Sequence, residues 1–383
     1  MSTLIKDVNV VTKDGVISNG FVLIENDKII YVGDKEQKSD KIIDGQGNYL
    51  LPGFIDIHCH GGNGFDFMDA SIDEIKEIAK FHLSHGTTTL YATTLTDTMD
   101  YIEASLEQFS KLEDRLTLEG VHMEGPWFNA AQCGAQDTST MQVASVEELD
   151  RLLKKYPFIK RVSVASETEN GLEVGKFGKE KGVVMSIGHT DAEFDDVEKA
   201  LDNGYTLLTH FYSGMKGVTR KNAYRVAGAI EAGYYFDDLY VEIIADGKHL
   251  PIQLLKLIYK VKGADKVCLI TDGMRAAGFS DGQTSMLGRI EQGALVFVED
   301  GVAKLPDRQS FAGSVATTDR LFRTMASAIG DNWVDLMKMS ALTPAKVMGL
   351  EDRGEIAVGK RADLLIMDKN YNINKVIFKG DQI

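Results

Sequence analysis

Apolar and polar positions follow two different rhythms along this chain. At both ends the apolar residues come in short runs broken by turn residues. Val8-Asn9-Val10-Val11-Thr12 gives way to Asp14-Gly15. Gly20-Phe21-Val22-Leu23-Ile24 breaks at Glu25-Asn26-Asp27, and Lys28-Ile29-Ile30-Tyr31-Val32 ends at Gly33-Asp34. Such punctuation marks hairpins. Ala362-Asp363-Leu364-Leu365-Ile366-Met367 and Asn374-Lys375-Val376-Ile377-Phe378 repeat the texture near the C-terminus. Neither end shows a helical period. The two ends are expected to build one small β-sandwich domain, residues 1–51 together with 350–383.

The middle alternates apolar or β-branched runs with helical stripes. The runs fall at residues 54–58, 87–94, 116–123, 161–165, 183–187, 206–210, 240–245 and 267–271. Between the first two, Ile72, Ile75, Ile78, Ala79 and His82 recur at helical spacing. Residues 143–156 and 191–203 read as further helices. Eight strand–helix units in series predict an α/β fold, a parallel (β/α)8 TIM barrel over residues 52–349.

Barrel enzymes carry their chemistry at the C-terminal ends of the strands. Six of the eight predicted strands end in residues of metal-binding type. Strand one ends in His58-Cys59-His60, and alternation puts both histidines on one face with Asp56, opposite Cys59. Strand three runs into Glu124, strand five into His189, strand six into His210, strand seven into Asp246 and His249, and strand eight into Asp272. Nitrogen and carboxylate ligands suit zinc, iron, manganese or cobalt better than calcium or magnesium. One or two divalent ions are expected, with Glu124 able to bridge two. A bound ion brings the pKa of its water toward ~7 and polarises a carbonyl. Asp272 beside it is expected to act as acid and base, taking a proton from water and passing it to a leaving amine. That set of groups hydrolyses at carbon, most naturally an amide. His82 and His85 read as structural, His122 as support behind Glu124, and Trp127 as loop packing or pocket wall. Phe311-Ala312-Gly313-Ser314 reads as a lid over the substrate or as a helix start capped by Ser314.

Composition narrows the partners. The chain has 383 residues and a formal net charge of −15, which argues against nucleic acid and anionic membranes. No apolar run has membrane-spanning length and no secretory signal is visible. Three cysteines, Cys59, Cys133 and Cys268, do not make a disulfide framework. A cytoplasmic location is expected.

Leu51-Pro52-Gly53-Phe54-Ile55-Asp56-Ile57-His58-Cys59-His60-Gly61, Asp272, and Ala357-Val358-Gly359-Lys360-Arg361-Ala362-Asp363-Leu364 resemble the amidohydrolase superfamily. His122-Met123-Glu124-Gly125-Pro126-Trp127, Gly188-His189-Thr190, the stretch from Thr209 to Met215, and Ala245-Asp246-Gly247-Lys248-His249 are similar to its N-acetylglucosamine-6-phosphate deacetylase family. The resemblance implies metal ligation by Glu124, His189 and His210, a further site using His58 and His60, and Asp272 as acid/base. It implies an amino sugar phosphate as the small-molecule partner, with contacts from His249 and the Ser213–Gly214 segment. Gln136 stands where that family usually has a histidine, and Ser213-Gly214 where it usually has Asn-Ala. A phosphate-binding arginine is implied soon after His210; Arg220 is taken first and Arg225 second, within a basic run that begins at Lys216. Phe311 joins the expected substrate contacts, and a homodimer is the expected assembly. Two other readings remain: hydrolysis of another N-acetylated amino sugar or a cyclic amide, and a non-catalytic scaffold. Relatives acting on cyclic amides often bridge their metals with a carboxylated lysine. Glu124 at that position disfavours them, and the intact ligand set disfavours a scaffold.

Overall fold

The structure is a computed structural model that describes residues 2–383. Eight parallel strands form the barrel in strict chain order: Phe54–Cys59, Thr87–Thr94, Leu118–Glu124, Ile159–Val164, Val184–Ile187, Tyr205–Leu208, Tyr240–Ile243 and Val267–Leu269. Each matches a run expected from the sequence to within a few residues. The helices between them bury one apolar face each against the barrel. Ile72–Ser84 shows how the sequence sets such a helix. Ser71 accepts from the Glu74 amide and Glu74 reaches back to Ser71, while Ile75, Ile78, Ala79, His82 and Leu83 turn inward.

Strands one and eight meet at their C-terminal ends. Asp272 N–H donates to His58 O at 2.9 Å, and His60 N–H donates to Gly273 O at 2.7 Å. The buried Asp56 carboxylate adds a clamp, accepting from the Thr271 amide at 3.2 Å and from its hydroxyl. Closure therefore lays His58, His60 and Asp272 side by side.

The two chain ends come together, as expected, and form one mixed sheet of seven strands. Lys41–Pro52 lies at its centre, parallel to Ser2–Thr12 and antiparallel to Leu364–Met367. Register shifts between Ile5, Val8 and Val10 mark bulges that bend the sheet. Its own apolar cluster includes Ile5, Val10, Leu50, Leu364 and Ile377. Only Gly53 separates Lys41–Pro52 from the first barrel strand, and the Gly53 amide bonds Asp363 O at 2.8 Å.

Between strand eight and helix Thr318–Ile329 the chain inserts a three-stranded antiparallel sheet, Thr284–Leu287, Ala294–Glu299 and Val302–Lys304. The sequence pattern did not announce it. Ser314 does not cap the helix that follows; Thr317 occupies that position, and the Ser314 hydroxyl donates to Thr271 O instead. The segment before the helix is thus stitched to strand eight, with Ser314 N–H bonded to Asp272 O at 2.8 Å.

Candidate metal and substrate site

Six side chains converge where the sequence placed them. His58, His60 and Asp272 form one compact group, and Glu124, His189 and His210 form another. Glu124 joins the two. Its Oε1 lies 3.0 Å from His210 Nε2 and 3.4 Å from His189 Nε2, while its Oε2 lies 3.4 Å from His60 Nε2. Asp272 Oδ1 stands 3.2 Å from His60 Nε2 and 3.5 Å from His58 Nε2.

The donor set fits divalent ions. Three imidazoles have an oxygen acceptor behind them: Glu242 for His58 Nδ1, Gln132 O for His189 Nδ1 and Ser213 O for His210 Nδ1. Those acceptors hold the ring protons outward and leave each Nε2 with a lone pair facing the centre. His58 Nε2 and His60 Nε2 face one another at 3.3 Å, an arrangement that needs a cation or a proton between them. Ligands bound at ~2.0–2.1 Å in a tetrahedron stand roughly 3.4 Å apart, close to the separations found.

The electrostatics agree. Burial alone would raise the Glu124 carboxyl, but the surrounding histidines hold it well below the usual range. Burial alone would lower the His60 imidazole, yet its bonds to Asp272 and Glu124 carry it up to about 10. Asp272 is likewise held down against burial by His58 and His60. The carboxylates ask for positive charge, which an ion supplies more fully than a proton.

The backbone is strained here. His189, His210 and Asp272 have φ of +44°, +30° and +46°. Side chains bearing a Cβ avoid that region unless the surroundings impose it. Each of the three lies just past a strand end, where the left-handed turn holds it over the barrel mouth.

The cavity above these groups is lined by Gln136, Ser213, Gly214, His249 and Phe311 as well as by His60, Glu124, His189, His210 and Asp272. His249 bonds Asp246 Oδ2 through Nδ1 at 2.9 Å, which leaves Nε2 for a ligand, and Phe311 packs on its ring at 4.8 Å. Leu287 of the inserted sheet forms part of the wall. Gln136 has a task the sequence did not reveal. Its Oε1 accepts the Thr96 amide at 3.0 Å, which fixes the side chain's orientation and turns its NH2 to Glu124 Oε2 at 2.7 Å.

The basic run does not reach this cavity. Lys216 pairs with Asp191 and Glu193. Arg220 and Arg225 face each other on an exposed two-stranded hairpin, residues 219–226. No described residue lining the cavity is a lysine or arginine. Cys59 and His82 are buried and touch one another at 3.2 Å, His122 bonds Ser163, and Trp127 is packed in the loop core. All four are buried, and none of them lines the cavity. Sequence reasoning missed two further buried residues, Arg161 and Glu242, which pair inside the barrel behind His58. A signal was available, because parallel barrel strands are normally near-continuous apolar runs.

Residues 49–383 match the amidohydrolase family. The N-acetylglucosamine-6-phosphate deacetylase of Bacillus subtilis is 34% identical over 99% of this chain and 96% of its own. The N-acetylgalactosamine-6-phosphate deacetylase of Escherichia coli O157:H7 is 29% identical over 86% of each. Among solved structures, an aspartate-to-alanine mutant of the N-acetyl-D-glucosamine-6-phosphate deacetylase of Mycobacterium smegmatis, in complex with N-acetyl-D-glucosamine-6-phosphate, superposes with a TM-score of 0.91. It is 28% identical, and the match covers 100% of this chain and 98% of that one. The chain thus belongs to the amidohydrolase family and is a homologue of its N-acetylglucosamine-6-phosphate deacetylases.

Proposed function

We propose that this chain removes the acetyl group of N-acetylglucosamine 6-phosphate, giving glucosamine 6-phosphate and acetate. The observation that carries the reading is the convergence of Asp272, Glu124 and four histidines at the floor of a cavity walled by His249 and Phe311. An ion held by Glu124, His189 and His210, with a second at His58, His60 and Asp272, would acidify water and polarise the acetyl carbonyl.

The chain's own residues do the rest. Asp272 is held deprotonated, and its Oδ1 sits at the centre of the ligand set. As base it accepts the proton of the attacking water; as acid it returns a proton to the sugar nitrogen as the amide C–N bond breaks. The strained turn keeps its carboxylate aimed there. His249, locked by Asp246, offers Nε2 to a sugar oxygen or to phosphate. Phe311 covers the entrance beside it. Gln136 anchors Glu124 and keeps one amide edge in the cavity.

The match to the galactosamine enzyme favours a second reading in which the C4 epimer is the better substrate. Acetate release from N-acetylated hexosamines, with and without the 6-phosphate, separates the two. Absence of hydrolysis of every N-acetylated sugar by protein of full metal content would defeat both. Arg220 lies outside the cavity lining of this chain, so its proposed part in binding phosphate requires the exposed hairpin 219–226 to meet the sugar phosphate, and its variant tests that. Arg220→Ala should raise KM for the phosphorylated sugar far more than for the free sugar, and Arg225→Ala should matter less. Equal effects on both sugars would place the phosphate elsewhere. The reading extends to a homodimer, since Val218, Tyr224 and Tyr235 leave large apolar groups exposed. Light scattering should then give twice the 42.2 kDa chain mass. A cytoplasmic location is part of the same proposal. Among the described residues no helix is long and apolar enough to cross a membrane.

A further inference from the structure

Glu242 sits on the seventh strand with no exposure to solvent, deep in the barrel. A layer of branched apolar side chains is the usual filling at such a depth. Arg161, also fully buried, pairs with Glu242 Oε1 and reaches Ile57 O at 3.1 Å, Ser186 Oγ at 3.2 Å and Thr209 Oγ1 at 3.2 Å. Stability alone does not account for the pair. Buried ion pairs are often replaceable by apolar residues without loss.

The second oxygen suggests a purpose. Glu242 Oε2 does not face Arg161. It lies 3.3 Å from His58 Nδ1 and 3.2 Å from the His210 amide nitrogen. One oxygen atom therefore touches both metal-binding groups, through a ring nitrogen of one and the backbone of the other. A carboxylate can only accept, so His58 must place its proton on Nδ1 and keep Nε2 bare. The same oxygen restrains the His210 backbone in its left-handed conformation.

The geometry points to Glu242 as a positioning residue. It sets the tautomer of His58 and the seat of His210, and Arg161 fixes which of its oxygens does so. The inference rests on the metal-dependent reading above, and it makes a prediction about the ring proton that needs no metal.

Histidine 15N resonances of the metal-free wild-type protein, at mildly alkaline pH, report that proton directly. His58 should carry it on Nδ1. A proton on Nε2 overturns the proposal even if the protein binds metal well. In Glu242→Gln the amide oxygen should turn to Arg161, the stronger donor, and present NH2 to His58 and to the His210 amide. His58 is then driven to the opposite tautomer. Affinity for Zn2+, measured by chelator competition, should fall ~10–100-fold. Adding Arg161→Met lets the amide oxygen swing back to His58 and should restore most of that loss. Unchanged affinity in the single variant, or no recovery in the double, overturns the proposal. If Glu242→Gln does not fold, the wild-type resonance still decides. If the wild type binds no ion, the proposed function falls, while the position of the proton still settles the role of Glu242.

Discussion

Asp272 combines three properties that few carboxylates share. It is buried, it is ionised, and it lies within 3.5 Å of two histidines. Replacing it by Asn keeps the shape and removes the proton acceptor. Asp272→Asn should lose ~10²–10⁴-fold in kcat, with most of the metal still bound; wild-type turnover at full metal content would remove it from the reaction. Gln136 separates two roles. If it only touches substrate, Gln136→Leu raises KM and leaves metal affinity alone. Its bond to Glu124 Oε2 predicts instead that metal affinity falls, by about tenfold or more. The variant also strands the Thr96 amide, so its melting temperature should drop. At this scale the sequence brought out the candidate ligands, because histidines and carboxylates at strand ends have few structural excuses. It could not show Gln136 holding Glu124, since that bond depends on where a loop folds back. Glu242 and Arg161 were visible as charges inside barrel strands, but alternation alone does not say that they meet behind His58.

The elements of the barrel decide which ligands act together. His58 lies on strand one and His60 just past it, and His189 and His210 follow strands five and six. His58→Ala should therefore lower the metal content while leaving an ion on Glu124, His189 and His210. Equal and complete loss in His58→Ala and His189→Ala, read by elemental analysis, would mean one shared ion. The strand count and order were legible because each strand is an apolar run bounded by turns. The inserted sheet was not, because its strands are short and half exposed, with Thr284 and Leu295 facing solvent. The basic hairpin lies apart from the cavity for a related reason. Proximity in sequence to His210 suggested proximity to the cavity, yet an antiparallel pair carries residues 219–226 out to the surface. Helix Ile252–Lys262 gives a test of folding energetics away from the site. Burial, with Lys266 nearby, lowers the Lys262 ammonium to about 8, and its Nζ donates to Phe236 O. An unfolded lysine still holds its proton between pH 8 and its ordinary value of 10.5. The unfolded chain thus binds more protons in that window, and stability rises with pH through it. Thermal midpoints of the wild type should show that rise; Lys262→Met should flatten it.

At the scale of the molecule, the barrel and the terminal sheet share one continuous strand. Lys41–Pro52 pairs with Leu364–Met367, and six residues beyond Pro52 lies His58. Deleting the chain from Asp363 onward exposes the edge of Lys41–Pro52 and unpins Gly53, whose amide bonds Asp363 O. The truncated protein should melt at lower temperature and lose metal first from the His58, His60 and Asp272 group; unchanged metal content would show the two parts to be independent. The two-ended β domain was readable from texture alone, whereas its single mixed ladder depends on pairings between residues some three hundred positions apart, which no local pattern encodes.

That shared strand imposes an order on the making of the protein. His58 and His60 leave the ribosome early, yet both of their lateral supports are late products. Strand eight, which brings Asp272, follows only after the seven other barrel strands, and Leu364–Met367, which clamps Lys41–Pro52, comes later still. Through most of translation the first barrel strand is an apolar edge with neighbours on one side alone, the condition in which nascent chains pair wrongly or aggregate. The histidines translated first are among the last to be seated, so the growing chain gains its full set of candidate ligands only once strand eight has been made.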